Sequence, residues 1–195
     1  MNSPVKIINF AINRHLEVFK KIQPSLIEDI AQATKVLFQA IDKNQIIFIC
    51  GNGGSAAQSQ HFAAELVCRY KKNRDPLKAI ALTTDTSTLT AIGNDYNFVN
   101  IFSRQLQALS SPGDVLIVLT TSGQSPNILE VLKTARISKL KTIALTGENG
   151  TRLKNLVDLP IIIPSLETAR IQESHDFILH AWCETIDAKL LGAHG

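Results

Sequence analysis

The sequence predicts an α/β fold: a three-layer sandwich in which helices flank a five-stranded parallel sheet, with two further helices ahead of it. Two observations carry this expectation. Short apolar runs alternate with helical patterns along the chain, as parallel strands joined by crossover helices require. The run Ile46-Ile47-Phe48-Ile49-Cys50 is apolar at every position rather than at every second one, the mark of a strand buried on both faces.

The elements follow in order. Ser3-Pro4 caps a first helix with an Ile8, Ile12, Leu16, Phe19 stripe, and Ser25-x-x-Glu28 is a capping box that opens a second, with Leu26, Ile30, Ala33, Leu37 and Ile41 repeating. Both helices stand outside the strand–helix alternation, so they either cover the sheet or pack against another subunit. After Ile46–Cys50 the strands are Ala79–Leu82, Val115–Leu119, Thr142–Leu145 and Leu159–Ile163. The closing helix spans roughly Thr168 to Leu191, with Ile171, His175, Ile178, Trp182, Ile186 and Leu190 on one face. No linker, repeat or low-complexity segment interrupts the pattern, and residues 1–195 read as one domain whose helical extension covers about residues 1–43.

Composition narrows the function. At 195 residues, 45% hydrophobic and 19% charged, the chain can bury roughly 70% of its unfolded surface as a single core. A net charge of +3 with a pI near 8.8 is too mild for nucleic-acid binding, and none is expected. Arg69, Lys71, Lys72 and Arg74 cluster after the Glu65 helix and read as a solvated loop. Cys50, Cys68 and Cys183 are widely spaced in apolar contexts, which suits buried thiols in a reducing compartment. With no leader pattern and no apolar run near the roughly 18 residues of a membrane span, a cytoplasmic protein is expected.

The strand-to-loop transitions carry the chemistry, because open α/β sheets bind ligands at the carboxyl ends of their strands. Gly51-Asn52-Gly53-Gly54 follows the first strand, and Ser55 opens a helix whose free N–H groups and dipole favour an anion. That helix carries His61 and Glu65 four residues apart, on one face. Val115–Leu119 runs into Thr120-Thr121-Ser122-Gly123-Gln124-Ser125-Pro126, where four hydroxyls meet a second helix start. Hydroxyls and backbone amides bind a phosphate without Lys or Arg. A plain helix cap is the alternative, and the density of hydroxyls favours the phosphate. Thr146-Gly147-Glu148-Asn149-Gly150 reads as turn chemistry. On the closing helix Gln172 and His180 are polar, two turns apart with Asp176 between them, while His175 reads as structural.

Two nucleotide readings fail. Gly51-x-Gly53-x-x-Ala56 satisfies the dinucleotide fingerprint, but the second strand ends in Leu82-Thr83-Thr84 without the acidic residue that binds the ribose, and Asp85 caps the next helix. No strand is followed by Gly-Lys-Ser/Thr. No nucleotide cofactor is expected.

Four ordered blocks, CGNGGSAAQSQHFAAEL, ALTTDTSTLTAIGNDY, LTTSGQSPN and ARIQESHDFILH, together resemble the phosphoheptose isomerase branch of the sugar-isomerase (SIS) domain family across nearly the entire chain. The resemblance implies an aldose–ketose isomerase that converts sedoheptulose 7-phosphate to D-glycero-D-manno-heptose 7-phosphate, feeding bacterial heptose synthesis for lipopolysaccharide or related glycans. It implies substrate contacts from Asn52, Gly53, Gly54, Ser55, Glu65, Asn94, Asp95 and Gln172, and a phosphate held by Thr120, Thr121, Ser122 and Ser125. Glu65 and His180 would be the acid–base pair, and His61, Glu65, Gln172 and His180 the ligands of one zinc per subunit. A homotetramer with sites at subunit interfaces is the assembly it implies. Ala169 stands before Arg170 where some relatives carry an acidic residue, a departure that bears on one substrate hydroxyl contact and not on the reaction.

The chemistry agrees. An aldose–ketose shift needs a proton taken from one carbon and returned to its neighbour through a cis-enediol, work for one carboxylate and one imidazole. Zinc would stabilise the enediol as a Lewis acid, with the amide oxygen of Gln172 as a poor fourth ligand. Relatives in the same branch that bind the bacterial replication initiator replace the carboxylate after His-Phe-Ala-Ala and the last-helix His. This chain keeps both, as Glu65 and His180. Sugar-phosphate-sensing regulators add a DNA-binding domain for which 195 residues leave no room.

Overall fold

The computed structural model describes residues 3–192. Its order is α1 (Pro4–Asp42), β1 (Ile47–Gly51), α2 (Gly54–Val67), β2 (Ala79–Ala81), α3 (Thr86–Asp95), a 3-10 turn (Phe98–Asn100) and α4 (Ser103–Leu109). It continues with β3 (Val115–Leu119), α5 (Pro126–Ile137), β4 (Lys141–Gly147), a second 3-10 segment (Glu148–Asn155), β5 (Leu159–Ile163) and α6 (Thr168–Leu191). All five strands are parallel in the order β2-β1-β3-β4-β5. Ile47 pairs with both Ala79 and Val115, and Ile143 with both Ile117 and Leu159, so β1 and β4 are interior strands.

The apolar-throughout strands divide their side chains between two cores. Ile47, Ile49, Val115, Ile117 and Leu119 face α1, α2 and α6, where Phe62, Leu66, Ile178 and Trp182 pack on them. Phe48, Cys50, Leu116, Val118 and Ala144 face the other way, against Leu106 of α4 and Ile128, Val131, Leu132 and Ala135 of α5. A strand buried on both faces has no polar register, which is why the sequence shows none.

The N-terminal region departs from expectation. Residues 4–42 form one continuous helix, not two. The stripe explains this: Val18, Ile22, Leu26, Ala33, Leu37 and Ala40 keep a single buried face through the position of the expected break. Burying each large side chain of that stripe is worth about 1.5–3 kcal/mol, which offsets the roughly 3 kcal/mol that an interior proline costs a helix. The Ser25 side chain lies outside the described residues. Ahead of Val18 one side of the helix meets the start of α6, where His15 pairs with Glu173 at 2.8 Å, while Ile8, Ile12 and Leu16 of the expected stripe are exposed together with Val5, Ile7 and Phe10.

Two smaller expectations are corrected. Cys68 caps the exposed end of α2, so only Cys50 and Cys183 are buried thiols, and burial pushes the Cys183 thiol up to about 12. Arg74 is not part of a solvated charge run: its guanidinium is 3% exposed and ion-paired with Asp187 of α6. No helix among the described residues is long and apolar enough to cross a membrane.

Candidate active site

The strand order sets the site. The chain leaves β1 towards β2 on one side and returns to β3 on the other, so a crevice opens between the carboxyl ends of β1 and β3. The glycine turn after β1 and the hydroxyl loop after β3 both sit there. A reciprocal amide pair ties them: Asn52 Nδ2 donates to Asn127 Oδ1 at 2.9 Å and Asn127 Nδ2 to Asn52 Oδ1 at 2.8 Å. Asn52 is therefore a strut as well as an expected substrate contact, and Asn127, buried in the first turn of α5, is a residue the sequence reading passed over.

Each loop is built to present amides. Gly53 caps α2 at φ 55°, a backbone region that suits glycine, and no side chain caps the helix; the Ser55 and Ala56 N–H groups close the first turn on the Asn52 and Gly53 carbonyls at 3.0 Å each. Ser125 at the start of α5 likewise makes no side-chain cap bond, contrary to the plain-cap alternative. Thr120 Oγ1 accepts from the Gly123 N–H at 3.1 Å, and Ser122 Oγ accepts from the Gln124 N–H at 3.2 Å. A hydroxyl that accepts a backbone N–H keeps its own proton to donate. Gly123, at φ 64°, packs on Gly150, and Arg152 Nε donates to the Gly123 carbonyl at 3.2 Å, fixing the loop from behind. The turn at Glu148–Gly150, with Arg152 just after it, thus supports the hydroxyl loop.

The ionisable groups converge where α2 meets α6. His61 Nε2 and His180 Nε2 stand 2.8 Å apart with the rings edge to face, and Glu65 Oε1 is 3.7 Å from His61 Nε2. At 2.8 Å the two nitrogens are at hydrogen-bond distance, and the tautomer of each ring decides which donates. The His61 side chain is 45% exposed and that of Glu65 21%, so the cluster opens to solvent on one side. Tyr70, from the loop after α2, stacks on the His180 ring with centroids 5.6 Å apart.

Gln172 is placed differently. Its amide lies against Gly54, where an added Cβ would come within 2.5 Å of Nε2, two turns of α2 before His61. Gln58 Nε2 donates to the Gln172 carbonyl at 2.8 Å, joining the two helices there. One chain thus brings together His61, Glu65 and His180, and sets Gln172 with Gly54 and the buried Ser55 at the glycine turn. Among the described residues no three His, Cys, Asp or Glu side chains form a metal-holding group. Asn94 and Asp95 are exposed at the far end of α3 and bond to each other at 2.7 Å. Asp85 caps the start of that helix, accepting from the Thr88 N–H and hydroxyl as expected. At about 1.5 Å per residue, Asp95 lies roughly 15 Å along the helix axis from Asp85. His175 is fully buried, and desolvation pushes its pKa down to about 3, with the Thr146 backbone opposing, so it is a neutral core residue.

This constellation of a parallel sheet, amide-rich turns at its switch point and an adjacent imidazole–carboxylate cluster matches a known domain. Residues 12–147 match the family described as "SIS domain", and the chain belongs to that family, within its phosphoheptose isomerase branch. It is 48% identical over 188 residues to a phosphoheptose isomerase of Aromatoleum aromaticum, covering 93% of this chain and 95% of that protein. It is 52% identical over 158 residues to one of Campylobacter jejuni, covering 81% and 85%. Among solved structures it is similar to phosphoheptose isomerases of Neisseria gonorrhoeae, at TM-score 0.90 and 40% identity over 95% of this chain and 100% of that one, and of Francisella tularensis, at 0.92 and 38% over 95% and 99%.

Proposed function

We propose that the protein is an aldose–ketose isomerase that converts sedoheptulose 7-phosphate to D-glycero-D-manno-heptose 7-phosphate. The observation that carries this reading is the His180–His61–Glu65 cluster in the same chain as an amide-and-hydroxyl phosphate loop at the switch point, in a chain about half identical to phosphoheptose isomerases. A phosphate at one end of an open-chain sugar and acid–base groups at the other are what the reaction needs.

In the forward direction the Glu65 carboxylate removes a proton from C1, the C–H electron pair forms the C1–C2 double bond, and O2 gains a proton to give the cis-enediol. Proton delivery to C2 and loss of the O1 proton then leave the aldehyde at C1. His180 is the group that gives and takes the second proton. Thr120, Thr121, Ser122 and Ser125, with the first amides of α5, hold the phosphate. Gly53, Gly54 and Ser55 face the chain of hydroxyls, with Gln172 laid over Gly54.

Zinc belongs to the same reading. His61, Glu65 and His180 do not form a metal-holding group as they stand, but two imidazole nitrogens 2.8 Å apart beside a carboxylate are zinc-type donors, and with Gln172 they would hold the ion. Bound there, zinc would polarise the carbonyl and stabilise the enediolate. A homotetramer with sites between subunits is supported by the exposed apolar side chains at the start of α1 and by the exposure of Asn94 and Asp95, which bond to each other. The product would feed heptose synthesis for lipopolysaccharide or related glycans in the cytoplasm.

The test is to incubate zinc-replete protein with sedoheptulose 7-phosphate and follow aldose formation, with light scattering of the same sample. Conversion by a tetramer is expected. No conversion overturns the activity, and a monomer at micromolar concentration overturns the assembly.

A further inference from the structure

We infer that Tyr70 is a positioning residue for this reaction, holding the His180 imidazole in the orientation that proton transfer requires; the inference rests on the isomerase reading of the same site. The Tyr70 and His180 rings are stacked, with centroids 5.6 Å apart and planes 26° from parallel. His61 meets His180 from another direction, edge to face at 86° with nitrogens 2.8 Å apart. An imidazole on a helix surface turns broadly about its second side-chain torsion unless packing confines it. Tyr70 supplies the packed face and leaves the His180 Nε2 edge towards His61.

Such a ring is useful only if it is itself fixed, and Tyr70 lies in a loop outside any helix or strand. The fixing comes from the buried pair beneath that loop. Asp187 Oδ2 accepts from the Lys71 and Lys72 N–H groups at 3.1 Å each, and its Oδ1 accepts from Arg74 Nε at 3.1 Å. Arg74 donates in turn to the carbonyls of Leu66 at 2.9 Å and Glu65 at 2.7 Å. The guanidinium therefore ties the loop to the very residue whose carboxylate is the base, and Asp187 ties it to α6 two turns beyond His180. Tyr70, Glu65 and His180 are thereby linked, from three segments of the chain, through one set of contacts. On this account the buried charge pair serves orientation, the requirement that acid–base groups be held to within a fraction of an ångström of productive geometry.

A plain packing role makes a different forecast, because Tyr70 also touches the core beside α2 and α6. The test compares purified zinc-replete wild type with Tyr70→Phe, Tyr70→Leu and Tyr70→Ala on sedoheptulose 7-phosphate, with zinc content measured for each. Misplacement of a reacting group by about 1 Å costs on the order of 10²-fold. We expect Tyr70→Ala and Tyr70→Leu to lose kcat by about that factor with KM changed less than about threefold, and Tyr70→Phe, which keeps the flat ring, to retain wild-type kcat within about threefold. Tyr70→Leu keeps most of the apolar volume and gives the same reading should Tyr70→Ala fold poorly. Near-wild-type kcat in Tyr70→Leu overturns the inference, as does a Tyr70→Phe protein as slow as Tyr70→Leu. Absence of turnover in the wild type overturns the isomerase reading instead.

Discussion

Asp187→Ala is the substitution whose cost is most directly set by the structure. The side chains of Arg74 and Asp187 are 3% and 5% exposed, so their attraction is little screened by water. Removing the carboxylate leaves a buried guanidinium without a counter-charge, a loss of about 3–5 kcal/mol for buried pairs. The Lys71 and Lys72 amides also lose their acceptor, but both residues are exposed and their N–H groups regain water, so the orphaned charge dominates. For a chain of this length each kcal/mol shifts Tm by about 2–4 °C, which places Asp187→Ala roughly 6–20 °C below wild type. Thermal melts followed by circular dichroism at one fixed protein concentration make the comparison, since an oligomer melts at a concentration-dependent temperature. The double replacement Arg74→Met with Asp187→Leu removes both charges and should recover much of the loss. An Asp187→Ala protein melting within about 2 °C of wild type would refute the reasoning, because a buried unpaired guanidinium cannot be that cheap.

Glu65→Gln keeps the shape and removes the base, so kcat should fall about 10²–10⁴-fold with the fold intact; near-normal turnover in the zinc-replete variant would sink the assignment. Ser122→Ala removes a hydroxyl oriented by the Gln124 N–H and should raise KM more than it lowers kcat, since the phosphate is held alike in ground and transition states; an unchanged KM would make the loop a helix start and nothing more. His175 adds a pH dependence whose sign is fixed. Its folded pKa, near 3, lies below the unfolded value near 6.5, so between those values the unfolded chain binds the extra proton and stability falls as pH falls. The slope from this one residue approaches about 1.4 kcal/mol per pH unit, and urea midpoints at pH 7 and pH 5 should lie closer together in His175→Phe than in wild type.

What the sequence made legible was local. β3 and β5 run over the expected residues because each is a short apolar stretch bounded by turn residues, and α6 keeps its expected limits because one face repeats across its whole length. The two loops were visible because glycines and hydroxyls at strand ends have few other uses. The continuity of α1 was not, since the capping box Ser25-x-x-Glu28 is a local start signal and what overrides it is burial against distant segments: residues of α1 pack on β5 and α6, and the Trp182 indole donates to the Ile30 carbonyl at 3.2 Å.

The same distinction runs through the site. The Ser122–Gln124 and Asp85–Thr88 bonds span two or three residues, and a reader of the sequence can reach them by spacing alone. The contacts that turn separate loops into one site join residues far apart in the chain: Asn52 to Asn127, His61 to His180, Arg74 to Asp187. Each is a polar pairing whose partners become neighbours only through the strand order β2-β1-β3, which folds the carboxyl end of β1 against that of β3, and through the packing of α2 on α6. Alternation of strands and helices does not specify that order. A basic residue such as Arg74 therefore reads as solvated until Asp187, 113 positions later, is known to lie beneath it. A chemically informative block and its supports are thus written in different places: the block where the chain turns, the supports wherever the topology brings a buried amide or charge within 3 Å of it.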